Sequence, residues 1–176
     1  MRHDIRGDTM RRLRITHTWR GAPLSVGARV DLRLLHQRDL EVLVDAPLWP
    51  DSLPSVPPGR VPELWRYSVA ELFIWGGGDR YLELELDPYG HWWLLELSTW
   101  RQRRREELRC EYAIESRAER WRGRARLAAE LLPPRPWRLS ACAIWGAAPC
   151  REYAMSTPTA GDHPDFHQPA AFQPPW

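Results

Sequence analysis

The stretch Tyr81-Leu82-Glu83-Leu84-Glu85-Leu86-Asp87 alternates apolar and polar side chains at every step. A period of two belongs to a strand with one face in a core, because successive side chains leave a pleated strand on opposite sides. The same alternation recurs along the chain, while the period of an amphipathic helix is almost absent. It predicts strands near Leu13–Trp19, Ala28–Leu35, Leu40–Asp45, Val69–Trp75, Arg80–Asp87 and His91–Ser98, and later near Leu108–Ser116, Arg120–Ala128, Trp137–Trp145 and Arg151–Ser156. About ten strands joined by turns predict an all-β fold, an antiparallel β-sandwich of jelly-roll type.

The joints agree with that reading. Trp49–Pro62 carries five prolines (Pro50, Pro54, Pro57, Pro58 and Pro62), which cannot donate to a ladder, so it reads as a long ordered excursion over a sheet edge. Gly76-Gly77-Gly78-Asp79 and Pro88-Tyr89-Gly90 read as hairpin turns. Gln102–Leu108 is the one stretch read as possible helix, and the Pro-rich last twenty residues read as irregular, with Phe166, Phe172 and Trp176 as anchors. A chain of 176 residues with 43% hydrophobic content can bury a proper core, and no repeat or boundary interrupts the pattern. Residues 13–176 are therefore expected to form a single β-sandwich domain behind a flexible N-terminal extension, residues 1–12, with Met10 as an alternative start.

All 25 basic residues are arginine, against 23 acids, for a net charge of +2. Near-neutral charge does not point to nucleic acid. Arg101, Arg103, Arg104 and Arg105, followed by Arg117, Arg120, Arg122, Arg124 and Arg126, could line an RNA strip. Glu106, Glu107, Glu111, Glu115 and Glu119 interleave with them, and a solvated face of cross-strand ion pairs is the better account of the run. No nucleic-acid partner is expected. Cys110, Cys142 and Cys150 are too few for a disulfide framework. The polar N-terminus lacks a secretory apolar core and no segment is long and apolar enough for a membrane span. These features lead to the expectation of a cytoplasmic protein that contacts no membrane. Oligomeric state stays open.

The hairpin Glu71–Asp87 concentrates the chemistry. With Glu71 opposite Glu83, Leu72, Ile74, Leu82, Leu84 and Leu86 point to the core. Glu71, Phe73, Trp75, Tyr81, Glu83 and Glu85 then gather on the other face. Rings stack on the apolar side of a sugar while carboxylates accept from its hydroxyls, so this face suits a carbohydrate. An ordinary solvated sheet face fits the same spacing. His163-Pro164-Asp165-Phe166-His167 aligns three potential metal ligands, but the same residues could pin the tail by hydrogen bonds, and His17 reads as a semi-buried structural histidine. No phosphate loop, nucleophile elbow or HExxH helix occurs.

His17-Thr18-Trp19 with Gly21 and Pro23, Leu64-Trp65 with Tyr67, Val69, Glu71 and Phe73, Tyr81-Leu82-Glu83 with Glu85, Leu86, Pro88 and Gly90, and Pro164-Asp165-Phe166-His167 fall in the order of one pattern. They resemble a small family of uncharacterised cytosolic proteins of bacteria and animals over roughly residues 13–172. That family is distantly similar to DOMON-like domains and to family-nine carbohydrate-binding modules, chiefly over residues 65–90. The resemblance implies a β-sandwich in which Trp65 stacks on a sugar and Glu71 bonds its hydroxyls, with Trp145 one candidate for a second ring. Where the modules carry a basic residue on the following strand, this chain has Glu83 and Glu85. Some DOMON domains hold haem, but no His/Met ligand pair matches here, and no cofactor or metal is expected. The expectation is a non-catalytic binder of a carbohydrate or related small polar ligand through Trp65, Glu71, Glu83, Glu85 and Trp145. Its alternatives are a carbohydrate-acting enzyme that uses Glu71, Glu83 and Glu85 as acid and base, or a protein-interaction scaffold.

Overall fold

The computed structural model describes residues 10–98 and 100–176, so the N-terminal extension expected for residues 1–12 lies largely outside the described residues. Among the described residues there are thirteen strands, in chain order β1 (Met10–Ile15), β2 (His17–Thr18), β3 (Val30–His36), β4 (Leu40–Pro47), β5 (Gly59–Arg60), β6 (Val69–Trp75), β7 (Arg80–Leu86), β8 (His91–Ser98), β9 (Gln102–Arg105), β10 (Glu111–Arg117), β11 (Arg120–Leu127), β12 (Arg138–Trp145) and β13 (Glu152–Met155). A five-stranded sheet runs β1-β3-β4-β11-β10, and an eight-stranded sheet runs β2-β13-β12-β6-β7-β8-β5 with β9 also on β8. Every pairing is antiparallel except β5 with β8. Two sheets face to face make a β-sandwich.

Alternation explains the core. Leu72, Ile74, Leu82, Leu84 and Leu86 meet Leu32, Leu34, Val42, Val44 and Trp121 of the smaller sheet in one buried cluster. The opposite face of the larger sheet is not solvated. Phe73, Tyr81, Trp93, Leu95, Leu97 and Ile144 form a second buried cluster there, roofed by Leu64 and by Phe166, Ala171 and Phe172 of the irregular tail. Strands β6 and β7 are therefore covered on both sides.

Three sequence expectations change. The stretch read as possible helix, Gln102–Leu108, contains strand β9 instead. Its four exposed residues pair with the β8 edge, and Arg104 reaches Glu96 of that strand, a partner no local pattern announces. The strand expected from Leu13 begins at Met10, held opposite Leu35. The hairpin register is two residues longer than expected: Glu71 faces Glu85 and Phe73 faces Glu83, with the ladder closing at Trp75 and Tyr81. The glycine turn is wider than a tight hairpin, and the Trp75 indole donates across it to the Gly78 carbonyl at 2.6 Å. A shift of two preserves the facing of every side chain.

The proline-rich segment follows the edge of the larger sheet. Gly59–Arg60 joins β8 in parallel. Asp51 accepts from Ser68 Oγ and, at 2.7 Å, from the Gly146 amide. His91 ties the segment down through Nε2 to the Val56 carbonyl at 3.0 Å, while its Nδ1 meets Asp87 at 2.7 Å.

Candidate functional site

Glu71 on β6 and Glu83 and Glu85 on β7 share the outer face of the larger sheet. They are 2%, 6% and 0% exposed, and one oxygen from each lies within 4.8 Å of the other two. Glu71 and Glu83 line a cavity of about 400 Å³, together with Trp65, Trp93, Arg101 and Arg103. Pro164, Phe166 and His167 of the tail line it as well.

Trp65 stands on a 3-10 turn, Leu64–Arg66, that begins at Glu63 in a left-handed conformation. Its amide donates to Glu85 Oε2 at 2.6 Å. Arg151 fastens the turn from the other side. Its Nη1 donates to the carbonyls of Arg66 and Gly146 at 3.0 and 3.1 Å, and its Nη2 to those of Trp65 and, at 3.1 Å, Tyr67. The indole itself is 39% exposed on the cavity rim, with the Arg66 guanidinium 5.6 Å from its ring centre.

Burial dominates the electrostatics of the floor. Loss of water, reinforced by the neighbouring Glu83 charge, raises Glu71 well above the ordinary carboxylate range, against the pull of Arg151. Burial also raises Glu83, to about 7, although Glu85 and Arg103 pull it down. Glu85 is driven well up by burial and by both neighbouring carboxylates. The proximity of Glu83 and Glu85 lowers the first and raises the second. Cys142 lies opposite Glu71 on the neighbouring strand, where burial and the acids keep its thiol neutral.

The rim carries the positive charge. Arg101 pairs with Asp165 at 2.6 Å, and the Arg103 guanidinium lies 4.9 Å from the centre of the Trp93 ring. The Arg101 amide donates to the Tyr81 hydroxyl at 2.9 Å, and that hydroxyl meets His167 Nδ1 at 2.8 Å. Burial and Arg101 push His167 down to about 4, so its ring stays neutral beside the tyrosine hydroxyl. Asp165 and His167 thus pin the tail through separate partners. His17 meets Thr16 Oγ1 at 2.9 Å.

The structure brings Trp65, Glu71, Glu83 and Glu85 together and leaves Trp145 out. Ile144 faces the cavity, so its neighbour Trp145 points to the other side of β12, where it stacks on Trp49 with ring centres 4.9 Å apart. Sequence reasoning missed Trp93, Arg101, Arg103 and Arg151 as parts of the site. Trp93 was within reach, since it alternates in phase with Leu95 and Leu97. Arg151 carries no local signal because its partners on the Trp65 turn lie 84 to 86 residues away.

No family model matches the chain. The human UPF0462 protein C4orf33 is 33% identical over 165 residues, which span 88% of this chain and 82% of the human protein. The chain belongs to the UPF0462 family. A rat UPF0462 protein, the C4orf33 homologue, is 32% identical over 92% of this chain and 85% of its own length. Among solved structures, the UPF0462 chain is similar to a Bacteroides uniformis protein provisionally described as carbohydrate-binding, with a TM-score of 0.71 and 16% identity over 93% of this chain and 83% of that one. It is also similar to a family 9 carbohydrate-binding module from Caldicellulosiruptor kristjanssonii, solved with cellotriose, with a TM-score of 0.55 and 15% identity over 85% of this chain and 74% of the module. At those identities the UPF0462 chain shares their fold.

Proposed function

We propose that this chain is a non-catalytic ligand-binding β-sandwich whose cavity takes a carbohydrate or a related small polar molecule. One observation carries the reading: an indole left 39% exposed on the rim of the same cavity that holds the carboxylates of Glu71 and Glu83. Trp65 supplies the stacking surface, and the carboxylates and Arg103 supply hydrogen bonds to hydroxyls. The cavity volume, about 400 Å³, lies within the range of about 300–1,000 Å³ usual for small-molecule sites. The shared fold with a cellotriose-bound module supports the same ligand class.

The enzyme alternative is less well served. Glycoside hydrolysis places two carboxyl groups about 5 to 9.5 Å apart, on either side of the bond to be broken, whereas here three acids converge with oxygens inside 4.8 Å. The arginine run of β11 meets acids across the strands: Arg120 and Arg122 hold Asp45, Arg124 holds Glu115 and Arg126 holds Asp39. That pairing leaves little charge for phosphates. Three free cysteines suit a reducing compartment such as the cytoplasm, and among the described residues no helix is long and apolar enough to cross a membrane.

A glycan array followed by calorimetry on the wild type and Trp65→Ala tests the proposal. The expected result is a glycan bound by the wild type and lost, at least tenfold in affinity, by a folded Trp65→Ala variant. A glycan bound equally by both, or none bound at all, retires it.

A further inference from the structure

The carboxylates of the cavity floor are short of hydrogen-bond donors. Among the described residues the Trp65 amide is the one protein N–H that reaches them, at Glu85 Oε2. Glu85 Oε1, in a residue with no solvent exposure, meets no partner. A second orphan lies beside it. Trp93 is directly opposite Glu85 on the β7–β8 ladder, lines the cavity and is 1% exposed, yet its indole N–H finds no acceptor. An unmet buried polar group is costly, so a buried acceptor and a buried donor left open on facing residues mark a place where something other than protein belongs.

The geometry says what that something is. Two oxygens on a common cation stand at most twice the metal–oxygen distance apart, which is about 5 Å for calcium with bonds of 2.3–2.6 Å. The three carboxylates already satisfy that limit, with one oxygen each inside 4.8 Å of the others. The donor set is oxygen from three carboxylates, which selects a hard cation over zinc or copper. We propose that Glu71, Glu83 and Glu85 form a site for a hard divalent cation of the calcium class, open toward the cavity. Three protein oxygens leave several coordination positions for water or for ligand hydroxyls, and a metal-bound oxygen on the cavity side is an acceptor for the Trp93 N–H. The inference uses the same cavity as the proposed function but does not depend on a sugar being the ligand.

The test uses the metals alone, with no glycan present. Chelator-treated full-length protein is titrated with terbium at pH 7.5 under tryptophan excitation, since Trp65 and Trp93 both line the cavity and can sensitise a bound ion, and then back-titrated with calcium. Saturable emission at one terbium per chain, displaced by calcium, is expected. Emission should fall at least tenfold in apparent affinity in Glu71→Gln and Glu85→Gln and stay unchanged in Glu115→Gln on the other sheet. Because a glutamine variant here could misfold, Glu71→Asp serves as a second variant, with the charge kept and the carboxylate drawn back by one methylene; it too should weaken binding. Absence of sensitised emission in the wild type, or emission untouched by the Glu71 and Glu85 changes, overturns the site. Glycan binding that survives chelator and needs Trp65 would leave the proposed function standing without the cation, so the two can fail separately.

Discussion

Changing Glu83 to Gln should alter how stability responds to pH, by an amount the burial of that side chain sets. Glu83 moves from an ordinary value of 4.5 to about 7 in the folded protein, so between those pH values the native state holds a proton that the unfolded chain has released. Stability from this group is therefore complete below 4.5 and is lost as pH rises through 7. At about 1.4 kcal/mol per tenfold, the loss between pH 4.5 and 8.5 is about 3 kcal/mol. His167 runs the other way, since its folded value of about 4 lies below the ordinary 6.5, and it adds stability as pH rises over that interval. Comparing wild type with Glu83→Gln cancels His167, which both proteins keep. Urea unfolding followed by tryptophan fluorescence, at five pH values in chelator-containing buffer, should show the wild type losing about 3 kcal/mol relative to the variant from pH 4.5 to 8.5. Glu71 and Glu85, each pushed up in part by the Glu83 charge, relax in the variant and widen the gap. Parallel curves would refute the claim that these acids are buried together.

Arg151→Ala removes the donor to the carbonyls of Trp65, Arg66, Tyr67 and Gly146; a loss of about 2–3 kcal/mol is expected, with faster tryptic cleavage after Arg66 seen by mass spectrometry. Gly76→Ala would place a methyl group 2.4 Å from the Pro134 carbonyl oxygen and 3.0 Å from Pro133 Cβ, so thermal melting should show at least about 2 kcal/mol of destabilisation, whereas Gly78→Ala, with nothing within 4 Å, should melt like the wild type.

Alternation alone carried the reading a long way, because each face of a strand is written every second residue. Val69–Trp75 and His91–Ser98 have the bounds their patterns predict, and the acids of β6 and β7 share a face as their spacing requires. The pairing partner of Glu71 was not legible, since it depends on how wide the glycine turn opens. Gly59–Arg60 and Gln102–Arg105 escaped because two to four residues with no buried face show no period. The tail escaped for a related reason: Phe166 and Phe172 bury outside any strand, flanking one short 3-10 turn, Pro169–Ala171, and only their apolar character hinted at it. Trp145 shows the limit of transferring a role by position, since its place on β12 puts it on the face opposite Ile144 and the cavity.

The stretch Pro164–His167 over the acids is held by an Arg101–Asp165 ion pair and a Tyr81–His167 hydrogen bond, whereas the last residues of the tail are held through the backbone, Gln173 to Leu139 and Trp176 to Trp137. The border of the cavity is thereby anchored through side chains, and the end of the chain through its backbone. Loosening Asp165 or His167 would therefore reshape the border of the cavity while every strand pairing beneath stays as it was.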